Sequence, residues 1–445
     1  MSRSLAWLAA LATSAALLAG CGGNSTETTI TGGGVPGTVV VADSPTGPNT
    51  TEIIVDAGPG SGFSLSLPTN SAYVSVTLCT PGSSTACVVV DHVLLDTGSI
   101  GLRVFRGAVA SLGLPALNLP ADAASGTPAG PAAECYPFVI GAVWGSMAQA
   151  DVRMGGELAP NLPIQIIDDG TSPTLAPPPD CVAAANSADG LMNSAAKLGA
   201  NGILGIGMIR YDCGLNCVTA NYADGFTLYY ACPNGAASCV PAAVPGALQM
   251  QNPIASFVAD ANNVANNNGS VIVMPALPEL GAAVVKGRLV FGIGTQSNNQ
   301  IPLAATIYPV DTNAANPTYL TFGTSVGARS YPASYIDTGA NALFFEDTSL
   351  NACPSPNSSW YCPAAVVRQT ATITGSDGRS GTADFAIRSA DDLFRVGNLG
   401  FANLGGSAGQ GADTFVWGLP FFYGRTVLTS IWGQALSANG PWNAF

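Results

Sequence analysis

Val93-Leu94-Leu95-Asp96-Thr97-Gly98-Ser99 has a counterpart in the second half of the chain, Ser334-Tyr335-Ile336-Asp337-Thr338-Gly339-Ala340. In both, a strand-like segment runs into Asp-Thr-Gly. The aspartates fall one in each half, and each copy is followed downstream by an apolar pair and a glycine, Ile203-Leu204-Gly205 and Val416-Trp417-Gly418. One Asp-Thr-Gly means little in a chain this rich in Gly and Thr. Two copies at strand ends, each with its own downstream partner, predict a duplicated unit. The glycines allow two loops to bend sharply and lie against each other. The threonine hydroxyls can then hydrogen-bond across the contact, and the two carboxyl groups meet. Like charges at contact distance cannot both ionise, so the pair holds one proton between them.

The surrounding composition fits such a machine. The chain has 445 residues, enough for two lobes, and 47% of them are hydrophobic. Charged residues are only 9%, against about 25% in an average globular protein. With 53 Gly and 32 Pro, the chain reads as turn-rich and all-β. Fourteen Lys and Arg against 27 Asp and Glu leave a net charge of −13, which argues against a nucleic-acid partner. The one histidine, His92, removes Ser-His-Asp and Cys-His chemistry and multi-histidine metal sites. His92 itself reads as an ordinary strand residue. Any catalysis must rest on carboxylates, hydroxyls, Lys or Cys.

Residues 74–78 alternate with period two, and 87–95, 163–167 and 289–293 are Val-, Leu- and Ile-rich runs bounded by turn residues, so all four are expected as strands. The best helical pattern spans 253–265, with Pro near its start and an Asn-Gly stop. Segments 106–135 and 168–195 read as elaborated loops.

The N-terminus reads as an export signal. Met1-Ser2-Arg3 precedes an apolar run over 5–20, too short to cross a bilayer comfortably, and the run ends Leu18-Ala19-Gly20-Cys21. This resembles a bacterial lipobox, which implies cleavage before Cys21, lipidation of that cysteine and a place in the cell envelope, facing the periplasm or the exterior. Residues 22–66, rich in Gly, Thr, Ser, Pro and Asn, are expected to form a flexible tether, with no folded strand before about Phe63. Of eleven cysteines, ten remain after Cys21, an even number that suggests disulfides in an exported chain. Cys79 with Cys87 and Cys353 with Cys362 flank short turns, and Cys135 is a partner for Cys181. Cys213, Cys217, Cys232 and Cys239 allow three connectivities; a zinc site there is the alternative, and the compartment and lack of histidine favour disulfides.

From about residue 66 onward the chain resembles the pepsin-like aspartic proteases, as a bacterial lipoprotein branch. The Thr80-Pro81-Gly82 turn leading to Asp96-Thr97-Gly98-Ser99, the Asn201-Gly202-Ile203-Leu204-Gly205-Ile206-Gly207 run, and the closing segment with Pro420, Phe421 and Tyr423 carry the likeness. It implies an all-β, bilobal fold of two pseudo-symmetric β-barrel-like lobes with few short helices. The signal would occupy 1–21, the tether 22–66, the first lobe 67–285 and the second 286–445. Asp96 and Asp337 would be catalytic, supported by Thr97, Gly98, Ser99, Thr338, Gly339 and Ala340. The flap would be built from Tyr136, Phe138, Gly141 and Trp144, with Phe138 where the family has Tyr, and Ile203 would face the substrate cleft or the core. No metal or other cofactor is implied. The expected protein is a monomer that cuts an extended peptide and is held to a membrane through Cys21. Gly101 and Arg103 replace the family's usual Asn and Trp, Leu419 replaces a common acid, and Ala340 replaces a hydroxyl residue. Those departures leave a second expectation open, a non-catalytic binding or structural lipoprotein that keeps the cleft.

Overall fold

A computed structural model describes residues 25–30, 37–60, 69–171, 175–185, 190–218, 228–233, 239–312, 320–407, 411–434 and 441–445. The lipobox and Cys21 lie outside them. The described chain is almost wholly β, with a few short helices of four to six residues.

Each lobe is organised around the same three-strand device. In the first, strand Cys87–Asp96 delivers the first Asp-Thr-Gly loop, and strand Ile100–Phe105 leaves it. Strand Gly202–Ile206 then threads between them, parallel to the incoming strand with Leu204 opposite Leu95, and antiparallel to the outgoing one with Leu204 opposite Leu102. In the second lobe, strand Arg329–Ile336 delivers the loop and Leu343–Phe345 leaves it. Strand Phe415–Trp417 pairs parallel to the first and antiparallel to the second. The downstream apolar-apolar-Gly signals are these inserted strands. Their glycines are steric: a Cβ on Gly205 would lie 2.6 Å from the Ile100 nitrogen, closer than non-bonded atoms tolerate. The repeated device, one per lobe, gives the bilobal, pseudo-symmetric all-β architecture expected from the sequence.

The strands expected at 74–78, 87–95 and 163–167 lie inside observed strands Tyr73–Cys79, Cys87–Asp96 and Glu157–Ile167, and the one expected at 289–293 overlaps Val284–Phe291, which ends two residues early. Three expectations are corrected. First, 22–66 is not a flexible tether throughout. Ser25–Ile30 pairs with Gly37–Ala42, and Gly37–Ala42 and Thr50–Val55 flank the two sides of Val284–Phe291. The Val-Val-Val and Ile-Ile runs bury Val39, Val40, Ile53 and Val55, and that apolar burial outweighs the surrounding turn residues. Second, a boundary at 285/286 cuts through strand Val284–Phe291; the lobes share a sheet that also takes strands Gly269–Val273, Thr426–Ser430 and Trp442–Ala444. Third, 253–265 is not a helix but one 3-10 turn, Ile254–Ser256, followed by irregular chain. Asp260 caps a turn by accepting from the Asn262 and Val264 amides, and such local side-chain bonds compete with helix.

The even cysteine count is realised as five disulfides: Cys79–Cys87, Cys135–Cys181, Cys213–Cys217, Cys232–Cys239 and Cys353–Cys362. The group left open among three connectivities thus pairs locally, and its sulfurs are not free for zinc. Asn70 ties the lobes: its amide donates to the Asn341 and Phe401 carbonyls, and its oxygen accepts from the Phe401 N–H and the Tyr423 hydroxyl.

Candidate active site

The two Asp-Thr-Gly loops meet between the lobes. The Thr97 N–H donates to Thr338 Oγ1 at 3.0 Å, and the Thr338 N–H donates to Thr97 Oγ1 at 3.0 Å. Thr338 Oγ1 also donates to the Leu95 carbonyl at 2.7 Å. Both threonines are buried, so these bonds satisfy groups that water cannot reach.

The glycines are needed by contact. A Cβ on Gly98 would lie 2.8 Å from Asp337 Cγ, and one on Gly339 would lie 2.8 Å from Asp96 Oδ1. Each loop therefore rests its glycine against the other loop's carboxyl group. Each aspartate folds back on its own loop, with Oδ1 accepting from the Gly98 N–H or the Gly339 N–H at 2.8 Å.

The pair is not symmetric. Ser99 Oγ donates to Asp96 Oδ2 at 2.5 Å. The corresponding position of the second loop is Ala340, which has no hydroxyl to offer. Burial, the neighbouring Asp96 carboxyl and a hydrogen bond with it raise the Asp337 pKa well above the ordinary carboxylate range, against the pull of the Gly339 and Ala340 backbone N–H groups. These effects favour the protonated form of Asp337.

The hairpin expected as a flap exists. Strand Gly130–Phe138 turns at Val139-Ile140 into strand Gly141–Met154, with Phe138 opposite Gly141. Val139 and Ile140 are exposed at its tip. Tyr136 and Phe138 share one face, their rings 4.9 Å apart. Tyr136 is buried in a cluster with Val143, Ile203 and Met250, so Ile203, 2% exposed, is a core residue beneath the hairpin rather than part of an open surface. Trp144 does not join that face. Neighbours in a strand point to opposite sides, and Trp144 packs with Cys135, Cys181 and Tyr230 on the other one, its indole N–H donating to the Leu175 carbonyl at 2.7 Å.

His92 lies away from the dyad chemistry, its imidazole against Asp56 and Asp91. Phe415 and Trp417 stack at 4.2 Å inside the second lobe as core residues.

Sequence reasoning did not find the group under the hairpin: Arg103, Glu134, Asp212 and Tyr229, all buried. The signal available was Arg103 itself, a lone cation inside the apolar strand Ile100–Phe105, where a buried charge requires partners.

Fold and loops together define a bilobal all-β protein with a paired-aspartate centre. The chain belongs to the family described as "Protein of unknown function (DUF3443)", which matches residues 45–445. No curated protein matches it in sequence. Among solved structures, the aspartic proteinase from Irpex lacteus is similar with a TM-score of 0.47 at 14% identity, covering 89% of this chain and 96% of that one.

Proposed function

We propose that the protein is an aspartic endopeptidase anchored in the cell envelope, hydrolysing peptide bonds with a water molecule activated between Asp96 and Asp337. The observation that carries this reading is the reciprocal Thr97–Thr338 lock, which brings two carboxyl groups together where burial and the neighbouring Asp96 raise the Asp337 pKa well above the ordinary carboxylate range. In the reaction, the ionised carboxylate takes a proton from water as the water oxygen attacks the scissile carbonyl. The protonated carboxyl, Asp337 at rest, donates to the carbonyl oxygen as negative charge develops there. Collapse of the tetrahedral intermediate passes a proton to the departing amine and breaks the C–N bond. Every proton moves among water, the two carboxyl groups and the peptide, so this chain's own residues suffice. The Val139-Ile140 hairpin tip would close over an extended peptide and exclude water.

The anchoring part of the proposal rests on Leu18-Ala19-Gly20-Cys21; five disulfides suit an oxidising compartment. The direct test is turnover of an unstructured protein across pH by the wild type, Asp96→Asn and Asp337→Asn. Each substitution should lower turnover by about 10³-fold, in the middle of the range for losing a general acid or base. Both variants should keep the wild-type melting profile. Wild-type turnover that survives either substitution, or no turnover at any pH with the fold intact, overturns the reading and favours a binding lipoprotein.

A further inference from the structure

Arg103 is fully buried, and its side chain bridges two strands, its own Ile100–Phe105 and Gly130–Phe138. Its Nη1 donates to the Ile100 carbonyl at 2.7 Å, on the segment leaving the Asp96 loop. Its Nε and Nη2 donate to the two oxygens of Glu134 at 3.2 and 2.8 Å, and Glu134 lies on strand Gly130–Phe138, which leads into the flap hairpin. The guanidinium carbon lies 3.9 Å from the centroid of the Tyr136 ring and 5.9 Å from that of Phe138, on the same strand. We propose that Arg103 is a positioning residue that couples the Asp96 loop to the flap hairpin. This rests on the peptidase reading, in which that hairpin closes over substrate.

An arginine suits this position in a way a lysine would not. The bidentate fork fixes Glu134 in angle as well as distance, while the flat face of the same group remains free for the Tyr136 ring. One side chain thereby holds the hairpin from below at two successive inward positions, Glu134 and Tyr136. The other faces of the group are equally occupied. Gln165 Nε2 donates to the Glu134 carbonyl at 2.7 Å. Asp212 stands 4.0 Å from Arg103 Nη2 and accepts from the Tyr229 hydroxyl at 2.7 Å, and Tyr229 in turn accepts from the Met250 N–H at 2.8 Å.

Two carboxyl groups thus face one guanidinium, and the side chains of all three are fully shielded from solvent. Such a cluster is neutral only if one carboxyl keeps a proton. The titratable groups facing one another here are Arg103, Glu134, Asp212, Tyr136 and Tyr229. Burial and the adjacent Glu134 raise the Asp212 pKa well above the carboxylate range, the opposing pull of Arg103 being smaller. The sign follows from linkage. A group whose folded-state value is raised contributes its full stability below the unfolded value, near 4, and loses it as pH rises through the folded value. The hairpin anchor should therefore be tight in acid and loosen towards alkaline pH, when Asp212 ionises and a second negative charge competes for Arg103.

The test is hydrogen exchange of residues 130–154 in the full chain as a function of pH, read as protection factors so that intrinsic exchange cancels, for the wild type, Arg103→Lys and Asp212→Asn. Arg103→Lys should lower protection of the hairpin by about tenfold at acid pH and raise the KM for a peptide more than it lowers kcat. Asp212→Asn keeps the shape of the protonated acid and cannot ionise; it should remove the alkaline loss of protection seen in the wild type. Hairpin protection within twofold of wild type in Arg103→Lys, or an alkaline loss in Asp212→Asn that matches the wild type, overturns the proposal. The exchange measurement needs no turnover. A wild type that cleaves nothing but shows this exchange pattern refutes the peptidase reading alone, whereas active protein without the pattern refutes the coupling alone.

Discussion

Thr97 and Thr338 exchange hydrogen bonds across the lobe interface, each backbone N–H donating to the other's Oγ1 at 3.0 Å. Replacing Thr338 by Val keeps the volume and removes the hydroxyl. The Thr97 N–H and the Leu95 carbonyl are then buried without partners, at about 1–3 kcal/mol each. Thr338→Val should lower thermal stability and reduce turnover by at least about tenfold, because the carboxyl groups lose their register. Thr338→Ser keeps the hydroxyl and should restore most of both. Calorimetry and a peptide assay on the two variants check this, and equal behaviour of Val and Ser would show that the lock is not a stabilising contact.

The same contact surface limits the neighbouring glycines. A Cβ at Gly98 would sit 2.8–2.9 Å from three atoms of the Asp337 carboxyl group. Gly98→Ala should therefore separate the carboxyl groups and abolish turnover, while the interior of each lobe stays folded. Far-UV circular dichroism unchanged beside lost activity is the expected pair of results; full activity in Gly98→Ala would mean that the loops do not meet this closely.

How much of this was legible beforehand differs by residue. The duplicated Asp-Thr-Gly and the downstream apolar-apolar-Gly signals were readable because steric demands at Gly98, Gly339 and Gly205 leave a trace in residue type. The threonine lock was readable for the same reason: only a hydroxyl does that work. The strands at 37–42 and 50–55 were missed because Gly, Thr and Pro around them outweigh two short apolar runs locally, whereas their burial comes from Val284–Phe291, more than 200 residues away. Trp144 was misplaced by counting proximity in sequence without the two-residue strand period. Of the Arg103 cluster, only the lone cation in an apolar strand left a local signal; its partners could not be read, since the members come from four separate segments and no local pattern joins Glu134 to Asp212.

The disulfides differ in what they should contribute. Cys135–Cys181 spans 46 residues, whereas the other four span 4 to 9. On the loop-closure account the long one restricts the unfolded chain by about 4 kcal/mol and the shortest by about 2. Replacing both Cys135 and Cys181 by Ala should lower the denaturation midpoint more than the same change at Cys213 and Cys217. Intact mass under non-reducing conditions should meanwhile show no free thiol among these ten cysteines. A smaller effect from the Cys135–Cys181 pair would place the stabilisation in native packing instead of chain entropy.

The anchoring proposal has its own check. Cys21→Ala should leave the precursor unprocessed or release it from the membrane fraction, and the wild-type N-terminus, read by mass spectrometry, should begin at a lipid-modified Cys21. A mature N-terminus far from residue 21 would refute the anchor and leave the peptidase reading untouched.

The last expectation concerns the asymmetry of the pair. Ser99 donates to Asp96 at 2.5 Å, and Ala340, at the matching place in the second loop, donates no hydroxyl bond to Asp337. With Asp337 held above the ordinary carboxylate value by burial and by Asp96, the shared proton persists to higher pH than in a pair flanked by hydroxyls on both sides. Activity needs that proton, so the alkaline limb of the pH–rate profile should lie well above the ordinary carboxylate range, and turnover should fall as pH rises through the raised Asp337 value. Introducing a donor by Ala340→Ser or Ala340→Thr favours the ionised form of Asp337. The proton should then leave at lower pH and the alkaline limb should shift downward, with Ser moving it at least as far as Thr because its hydroxyl rotates more freely. Full pH–rate profiles of the three proteins on one peptide decide the matter. An alkaline limb that stays in place or moves upward in Ala340→Ser would show that the missing hydroxyl does not set where this pair holds its proton.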